Sequence, residues 1–302
     1  MVNGRLFCFG LGMSALALAR ELMAGDLTDG GMAVAGTCRT EAKAAELRAT
    51  GIETFVFAEN RPLDPRALKG TTHLLLSVPP GEAGDPVLAA HGRDIARLPE
   101  LRWVGYLSTT GVYGDRGGDW VDENSPLTPA TARGRRRLAA EQGWAALGLP
   151  LHIFRLAGIY GPGRNQLRSV LDGTAKRIVK PGQIFSRIHI DDIAAVLAAS
   201  MRKPRPGAAY NVCDDEPAPP QEVVAFAAGL LGRAPPPEIA FEDADLSPMA
   251  RSFYEESKRV SNRRIHDELG VLLRYPTYRE GLRALLAMET RPSPNPLPPG
   301  EG

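Results

Sequence analysis

The sequence predicts an α/β protein with a doubly wound parallel sheet and a smaller C-terminal lobe. Short apolar runs alternate with helix-forming segments through the first half of the chain, which is typical of βαβ units. These runs are apolar almost throughout, as expected of strands covered on both faces. In the second half, Pro and Gly divide the chain into shorter elements. The two halves are therefore expected to form a core and a lobe.

Each element is predicted from its own pattern. A strand is expected where four to eight residues are mainly apolar, and a helix where Ala, Leu and charged residues run together. The predicted strands are residues 6–9, 32–37, 52–57, 73–78, 103–108, 152–156, 188–190 and 210–212. The predicted helices are residues 14–23, 41–49, 87–98, 131–147, 191–201, 221–231, 262–269 and 278–288.

We predict three regions along the chain. Residues 1–160 form the core, and residues 161–290 form a mixed lobe that sits over the carboxyl ends of the strands. Independent folding of the lobe is not expected, because two of its predicted strands can join either the core sheet or a sheet of the lobe. Residues 291–302 are Pro-rich with few apolar residues and are predicted to be disordered.

Composition narrows the class of protein. The 302 residues include 36 basic and 35 acidic ones, and the net charge of +1 argues against a broad nucleic-acid surface. No apolar run is long enough to span a bilayer, and glycines interrupt the apolar stretch near the start, unlike a signal peptide. The three cysteines lack metal-ligand spacing, and no metal is expected. We expect a cytoplasmic monomer or homodimer that acts on a small molecule.

A glycine-rich turn follows the first predicted strand and precedes a helix. Gly10 allows a tight turn, and Gly12 allows the backbone to approach a pyrophosphate. Met13 and Ser14 begin the helix, whose N-terminal amides can bind phosphates. This arrangement predicts a dinucleotide site, with a fold that has lost its nucleotide as the alternative.

The end of the second predicted strand bears on which dinucleotide binds. A carboxylate there would hold a ribose 2′-hydroxyl, but this strand ends at Arg39. A guanidinium can pair with a 2′-phosphate, so NADP is expected in preference to NAD, with Lys43 one turn further on able to assist. The alternative is that Arg39 only starts a helix in solvent.

Three consecutive segments resemble one protein family. Residues 107–115 read LSTTGVYGD, residues 120–129 read WVDENSPLTP, and residues 133–141 read RGRRRLAAE. They resemble the extended short-chain dehydrogenase/reductase family, specifically its epimerase and dehydratase branch, which has a Rossmann fold. The family carries Tyr-x-x-x-Lys just before its LAAE-like segment, and here those positions are Arg133 and Arg137. The chain therefore resembles an atypical member.

The resemblance implies further contacts with the dinucleotide. Two segments at strand ends match the parts of the family that pass the pyrophosphate and the nicotinamide, and Arg137 takes the place of the lysine that holds the nicotinamide ribose. The residues implied are Val78, Pro79, Ser108, Arg137, Ala157, Gly158 and Ile159.

The resemblance also implies a reaction centre with altered groups. Thr109 occupies the family's Ser/Thr position, which orients a substrate oxygen; its alternative is a bond to local backbone. Arg137 can supply a fixed positive charge, whereas Arg133 cannot act as a general acid or base because its pKa is too high. Tyr113 is the nearest phenol and is hypothesised to supply the proton. The alternatives are that Tyr113 is a packed structural aromatic, and that water or substrate supplies the proton.

A later segment, residues 187–194, resembles the family's H-V-D-D motif. Asp191 or Asp192 is expected to cap the following helix, in preference to a metal site with His189. Tyr210-Asn211-Val212 is interpreted as a structural strand.

Together these features predict an NADP(H)-binding, oxidoreductase-like protein. The expected reaction transfers hydride to or from a carbonyl or alcohol carbon, and the resemblance implies a substrate similar to a nucleotide sugar. Two alternatives remain: a catalytically inactive NADP(H)-binding redox sensor or regulator, and a redox-neutral epimerase or dehydratase.

Overall fold

Strands alternate with helices along most of the chain in the computed structural model, which describes residues 4–23, 32–58 and 61–289. The strands are β1 (Arg5–Phe9), β2 (Ala33–Cys38), β3 (Glu53–Val56), β4 (His73–Leu76), β5 (Trp103–Thr109), β6 (Trp120–Val121), β7 (Leu151–Leu156), β8 (Gly158–Tyr160), β9 (Arg177–Val179), β10 (Arg187–His189), β11 (Ala209–Val212), β12 (Glu238–Ala240) and β13 (Arg259–Val260). The helices are α1 (Met13–Met23), α2 (Glu41–Arg48), α3 (Pro86–Ile95), α4 (Ala132–Ala145), α5 (Gln166–Leu171), α6 (Ile190–Arg202), α7 (Pro220–Leu230), α8 (Pro248–Ser252), α9 (Arg263–Leu269) and α10 (Tyr278–Glu289).

A seven-stranded sheet has the order β3-β2-β1-β4-β5-β7-β11, and every pairing in it is parallel. The chain moves outward in one direction from β1 to β3 and in the other from β4 to β11. This reversal creates a crevice at the carboxyl ends of β1 and β4, where open α/β sheets bind ligands. The doubly wound parallel sheet predicted from the sequence is confirmed.

Side chains alternate between the two faces of this sheet because successive residues of a strand point in opposite directions. Leu6 and Cys8 belong to the apolar cluster that includes α1 and α6. Phe7 and Phe9 belong to the opposite cluster, which includes Trp144 of α4. Both faces are therefore covered by helices, and this explains why the strands are apolar at nearly every position.

Three smaller sheets, built mainly from the C-terminal half, lie outside the central sheet. The pairs β8–β10, β9–β12 and β6–β13 each form a two-stranded parallel sheet. Helices α5, α7 and α10 share a separate apolar cluster that includes Leu167, Val223 and Leu282. Strand β11 instead returns to the edge of the central sheet, next to β7.

The structure corrects one predicted helix cap. Helix α6 begins at Ile190, and its cap is His189, whose Nδ1 accepts a hydrogen bond from the Asp191 amide at 3.2 Å. Asp192 instead accepts hydrogen bonds from the Arg274 and Tyr275 amides, at 2.6 and 3.1 Å. The expectation that Asp191 or Asp192 caps the helix was wrong because both lie inside its first turn.

Two further predictions concern the C-terminal tail and membrane-spanning segments. The tail predicted to be disordered, residues 291–302, lies outside the described residues. Among the helices of the described part, none is long and apolar enough to cross a membrane. The domain boundaries at residues 160 and 290 stay predictions.

Candidate functional site

A cavity of about 820 Å³ opens at the carboxyl ends of the central strands. Its core side includes Ser14 at the start of α1, Ser77 after β4, and Thr109 at the end of β5. Its other side is formed by the C-terminal half, including Arg187 and Phe253. Its volume is within the range of small-molecule and cofactor sites.

The glycine-rich turn is shaped for close approach by a ligand. Gly10 has φ of +91°, and a Cβ there would lie 3.1 Å from Val78 Cγ2, so both conformation and space favour glycine. The Gly10 amide donates to Thr37 Oγ1 at 2.9 Å, which fixes the turn against β2. A Cβ on Gly12 would meet no atom within 4 Å. Packing therefore does not explain the glycine at position 12, whereas approach of a pyrophosphate would.

Arg39 follows β2, the strand whose end is predicted from the sequence to contact the dinucleotide. It is exposed at the end of β2, and among the described residues it forms no hydrogen bond or ion pair. Thr40 caps α2 by accepting from the Lys43 amide, while Lys43 Nζ pairs with Glu46 at 2.7 Å. The guanidinium of Arg39 is thus available to an anion, while the Lys43 ammonium already has a partner. Met13 and Pro79 are exposed at the same end of the sheet, and Val78 is half-buried.

Helix α4 presents two cations to the cavity. Arg133 and Arg137 both line it, and a spacing of four residues places them on one helix face. Arg137 Nη1 donates to Leu107 O at 2.7 Å and to Tyr106 OH at 3.2 Å, which holds its guanidinium against the end of β5. Arg133 lies over the Phe253 ring, 4.5 Å from its centroid. Desolvation, with the nearby Arg137 charge, lowers the pKa of Arg133.

Thr109 lines the cavity and is half-buried. Its Oγ1 accepts a hydrogen bond from the Gly111 amide at 3.2 Å and thereby caps the turn that follows β5. The local backbone bond considered as the alternative is therefore present. The hydroxyl proton remains available for a ligand, since a threonine hydroxyl accepts and donates independently.

Tyr113 lies away from the cavity, contrary to the hypothesis that it supplies a proton. Its side chain is fully buried, and it is not among the residues that line the cavity. Its hydroxyl donates to Asn211 Oδ1 at 2.7 Å and accepts from Arg155 Nη1 at 3.0 Å. Burial raises the pKa of Tyr113 to about 12. Its position agrees with a packed structural aromatic, because it belongs to a buried apolar cluster that includes Val121, Cys213 and Val260.

A buried polar network lies behind the cavity wall. Ser108 Oγ donates to Glu141, and Glu141 forms an ion pair with Arg155. Through Arg155 the network continues to Tyr113 and Asn211. The predicted cofactor residue Ser108 thus lines the cavity while its hydroxyl is directed into the protein.

The remaining predicted residues lie where the strand β7 meets the cavity. Ala157, Gly158 and Ile159 line it, and Gly158 and Ile159 pair with β10. The structure therefore brings together Ser14, Ser108, Thr109, Arg137 and Ala157–Ile159 at one cavity.

Sequence reasoning missed a charged pair in the C-terminal half. Glu256 and Lys258 both line the cavity, their side chains are each 9% exposed, and Lys258 Nζ lies 2.7 Å from Glu256 Oε2. Glu256 Oε1 is buried without a hydrogen-bond partner in the described structure. The segment has no helix or strand periodicity, so its two acidic residues followed closely by two basic residues were the available signal.

The cavity is strongly cationic. Glu256 is the single acidic side chain among the described residues that line it. The positively charged ones are Arg133, Arg137, Arg164, Lys176, Arg187 and Lys258. Such a lining favours a ligand that carries negative charge. Among the described residues, no group of three or more His, Cys, Asp and Glu could hold a metal ion.

Comparisons with known proteins agree with this architecture. No protein-family model matches the chain. A solved structure of a conserved protein of unknown function from Silicibacter pomeroyi DSS is 55% identical, covers 95% of this chain and all of its own, and has a TM-score of 0.87. A candidate NAD-dependent epimerase/dehydratase from Methylobacillus flagellatus is 28% identical, covers 95% of this chain and 99% of its own, and has a TM-score of 0.72.

Two curated proteins are also similar in sequence. Protein YeeZ of Escherichia coli K12 is 28% identical over 88% of this chain and 94% of its own length. A 3-diazoavenalumate denitrifying reductase of Streptomyces sp is 29% identical over 54% of this chain and 55% of its own length.

Proposed function

We propose that this chain, which has the fold of the extended short-chain dehydrogenase/reductase family, is an NADP(H)-dependent reductase of anionic carbonyl compounds. The observation that carries the proposal is the cavity itself. It joins the start of α1 at Ser14, the end of β5 and the cationic C-terminal half at the reversal point of the sheet. Two similar proteins support the class, since one is named a reductase and the other a candidate NAD-dependent epimerase/dehydratase.

The residues present fit a dinucleotide. Gly12 leaves open space at the start of α1, where helix amides can bind a pyrophosphate, and Ser14 lies beside it. Arg137 is held by Leu107 at the end of β5 and would meet the nicotinamide ribose. When bound, the reduced dinucleotide supplies a hydride to the substrate.

Arg39 supports NADP in preference to NAD. Its exposed guanidinium lacks a partner among the described residues. Arg39 follows β2, the strand whose end contacts the 2′ substituent of the ribose in Rossmann folds. A 2′-phosphate would give it a bidentate, charge-assisted contact. A 2′-hydroxyl would offer much less, because no carboxylate stands at this position.

The six cavity cations support an anionic substrate. Arg187 is almost fully buried, and its Nη1 is held by the carbonyl oxygens of Phe185 and Ala218 at 2.9 and 3.1 Å. A guanidinium fixed in this way is ready to bind a carboxylate or a phosphate without further ordering. A phosphate-bearing carbonyl compound, such as a nucleotide sugar, has the required charge.

We propose that this activity is cytoplasmic. Cys8, Cys38 and Cys213 are all free, which suits a reducing compartment.

The test measures binding and turnover separately. Titration calorimetry with NADPH and NADH is expected to show tighter binding of NADPH, and Arg39→Ala is expected to remove the difference. Stopped-flow absorbance of the nicotinamide band then follows NADPH with a panel of keto acids, keto phosphates and nucleotide sugars. Equal affinity for the two cofactors, with discrimination unchanged in Arg39→Ala, would contradict the NADP preference.

A second candidate follows from Arg133 and Arg137, which stand where the family has its Tyr and Lys. With both usual groups absent, the chain can bind NADP(H) without catalysis and report redox state. NADPH binding without turnover of any panel compound would support that role. A substrate converted without net NADPH consumption would instead indicate a redox-neutral epimerase or dehydratase.

A further inference from the structure

We propose that Lys258 is the proton donor of the hydride-transfer reaction and that Glu256 positions its ammonium group. The inference rests on the proposed reductase function. Helix α4 carries two arginines where the family carries its acid/base pair, and Tyr113 is buried away from the cavity. Of the described residues that line the cavity, Lys258, Lys176, Glu256, Tyr160 and Tyr254 remain with side chains able to titrate as acids.

Geometry separates Lys258 from these other groups. The Tyr160 ring packs against His189, with centroids 5.2 Å apart, and belongs to the apolar cluster of α7 and α10. Tyr254 stacks on Phe241, with centroids 5.2 Å apart. Lys176 donates to Asp245 O at the outer surface. Lys258 is instead enclosed within the wall of the cavity and paired with a carboxylate.

The backbone explains why Lys258 and Glu256 face the same way. Glu256 is extended, with φ of −126° and ψ of 130°, and the chain continues into β13. Alternate residues of an extended segment point to the same side. Ser257 points to the opposite side, where its amide donates to Asp115 Oδ1 at 2.7 Å and its Oγ donates to Gly182 O at 2.8 Å. The anchored Ser257 therefore directs both neighbours into the cavity.

The pair also lies close to the end of β5. A Cβ placed on Gly111 would lie 3.9 Å from Glu256 Oε2, so the carboxylate stands against the turn that Thr109 caps. The Glu256 charge also acts on Arg133 of α4 and partly offsets the lowering of its pKa. Lys258 and Glu256 thus approach, from the C-terminal half, the region where the family places its acid/base residue.

Burying the charges of Glu256 and Lys258 costs free energy, and a role in binding a ligand would explain why this cost is tolerated. Both side chains are nine-tenths buried, and burying two charges is repaid only when their remaining hydrogen-bonding capacity is used. Glu256 Oε1 has no partner in the described structure, and Lys258 Nζ has one of its three donors in the ion pair. The remaining donors can reach a substrate oxygen in the cavity.

The proposed step balances as follows. A bound reduced dinucleotide would supply a hydride, with the electron pair of its nicotinamide C4–H bond, to the carbonyl carbon. The carbonyl π electrons move to oxygen, which takes a proton from the Lys258 ammonium. The products are a hydroxyl group, oxidised dinucleotide and a neutral Lys258 amine, which regains a proton from water. Glu256 holds the amine in place through its 2.7 Å contact.

The first experiment compares Lys258→Met, Lys258→Arg and wild type in the NADPH assay with the carbonyl panel. Loss of a general acid lowers kcat by about 100-fold or more. We expect this in both variants, because arginine keeps the charge but cannot release a proton at neutral pH. Glu256→Gln is expected to lower kcat by a smaller factor with little change in the KM for NADPH. The control is Lys69→Met, at an exposed lysine that does not line the cavity.

The outcomes separate the two proposals. Failure of wild type to reduce any panel compound contradicts the reductase function, and the assignment of Lys258 falls with it. Turnover by wild type with an unchanged kcat in Lys258→Met contradicts the Lys258 assignment alone. Recovery of kcat in Lys258→Arg would also overturn it, because a fixed charge would then suffice.

A second readout does not depend on turnover. Pyridoxal 5′-phosphate is an anionic aldehyde that forms an imine with a lysine amine, with loss of water, and borohydride reduces that imine to a stable amine. Peptide mass spectrometry is expected to find label at Lys258 in excess over Lys69. Labelling of Lys258 no greater than that of Lys69 would show that this amine is closed to the cavity and would overturn the inference.

Discussion

Arg155 of β7 and Glu141 of α4 form a buried ion pair, with Arg155 Nη2 3.0 Å from Glu141 Oε2. Their side chains are 6% and 4% exposed. Ser108 and Tyr113 complete the hydrogen bonding of the pair. Because Glu141 follows Arg137 by one helical turn, this ion pair fixes the face of α4 that carries the cavity cations.

We predict that Glu141→Leu destabilises the fold by about 3–5 kcal/mol, because Arg155 would remain charged and buried without its partner. The double variant Glu141→Leu, Arg155→Met should recover much of that loss, since it removes both charges. Urea unfolding measures the free energies. Equal stability of the single and double variants would show that the uncompensated charge is not the cause.

We predict that Tyr113→Phe lowers stability and leaves catalysis intact. Asn211 Oδ1 and Arg155 Nη1 would each lose a buried partner, which costs about 1–3 kcal/mol. The affinity for NADPH and any measured kcat should be unchanged, because the phenol does not reach the cavity. A drop in kcat of about 100-fold would restore the proton-donor hypothesis.

The central sheet was predictable from sequence because its strands are buried on both faces. Runs such as residues 6–9 and 103–108 carry enough apolar residues to identify a strand without any knowledge of its neighbours. The two-residue strands β6 and β13 could not be found in this way. They exist because Trp120 and Val121 pair with Arg259 and Val260, far along the chain.

The residues of the candidate site also differ in whether local structure or long-range pairing places them. Gly12, Arg39 and Thr109 were predicted because a strand end and a turn determine their local role. Glu256 and Lys258 were missed because their position depends on long-range pairing. Tyr113 was assigned to chemistry because it follows Thr109 closely in sequence, yet the turn between them rotates the phenol out of the cavity.

We predict that Gly12→Val weakens NADPH binding by at least about tenfold, or about 1.4 kcal/mol. The side chain would occupy the space into which a pyrophosphate would fit, and it meets no protein atom within 4 Å at Cβ. Stability should change by less than about 0.5 kcal/mol, as for an exposed substitution. Calorimetry gives the affinity, and thermal unfolding gives the stability.

The contrasting variant is Gly114→Ala. Gly114 has φ of +74°, and a Cβ would lie 2.1 Å from Thr128 O, so this substitution should destabilise the fold. Unchanged NADPH affinity in Gly12→Val would exclude close approach of the pyrophosphate at this turn.

We predict that Asp214 makes stability fall as pH rises from about 4 to about 8. Burial, partly offset by the Arg187 charge, raises the pKa of Asp214 to about 8, and both its carboxylate oxygens lack hydrogen-bond partners in the described structure. The folded state therefore holds a proton that the unfolded state releases near pH 4. Within this window the group lowers the unfolding free energy by at most about 1.4 kcal/mol for each pH unit.

Asp214→Asn removes this titration, since an amide stays neutral. Unfolding free energies of wild type and variant, measured at pH 5, 6, 7 and 8, should diverge steadily as pH rises. Parallel curves across this range would show that Asp214 keeps one protonation state.

The short pairing of β13 with β6 joins two parts of the chain that are more than a hundred residues apart. Residues 119–121 do not line the cavity, yet they set the register of the strand that follows Lys258. An insertion of one residue at residues 119–121 would shift the register between β6 and β13. Lys258 would then point to the other side of its segment. Substrate range within this fold can therefore evolve through changes in the length of an outer turn, without any substitution in the cavity.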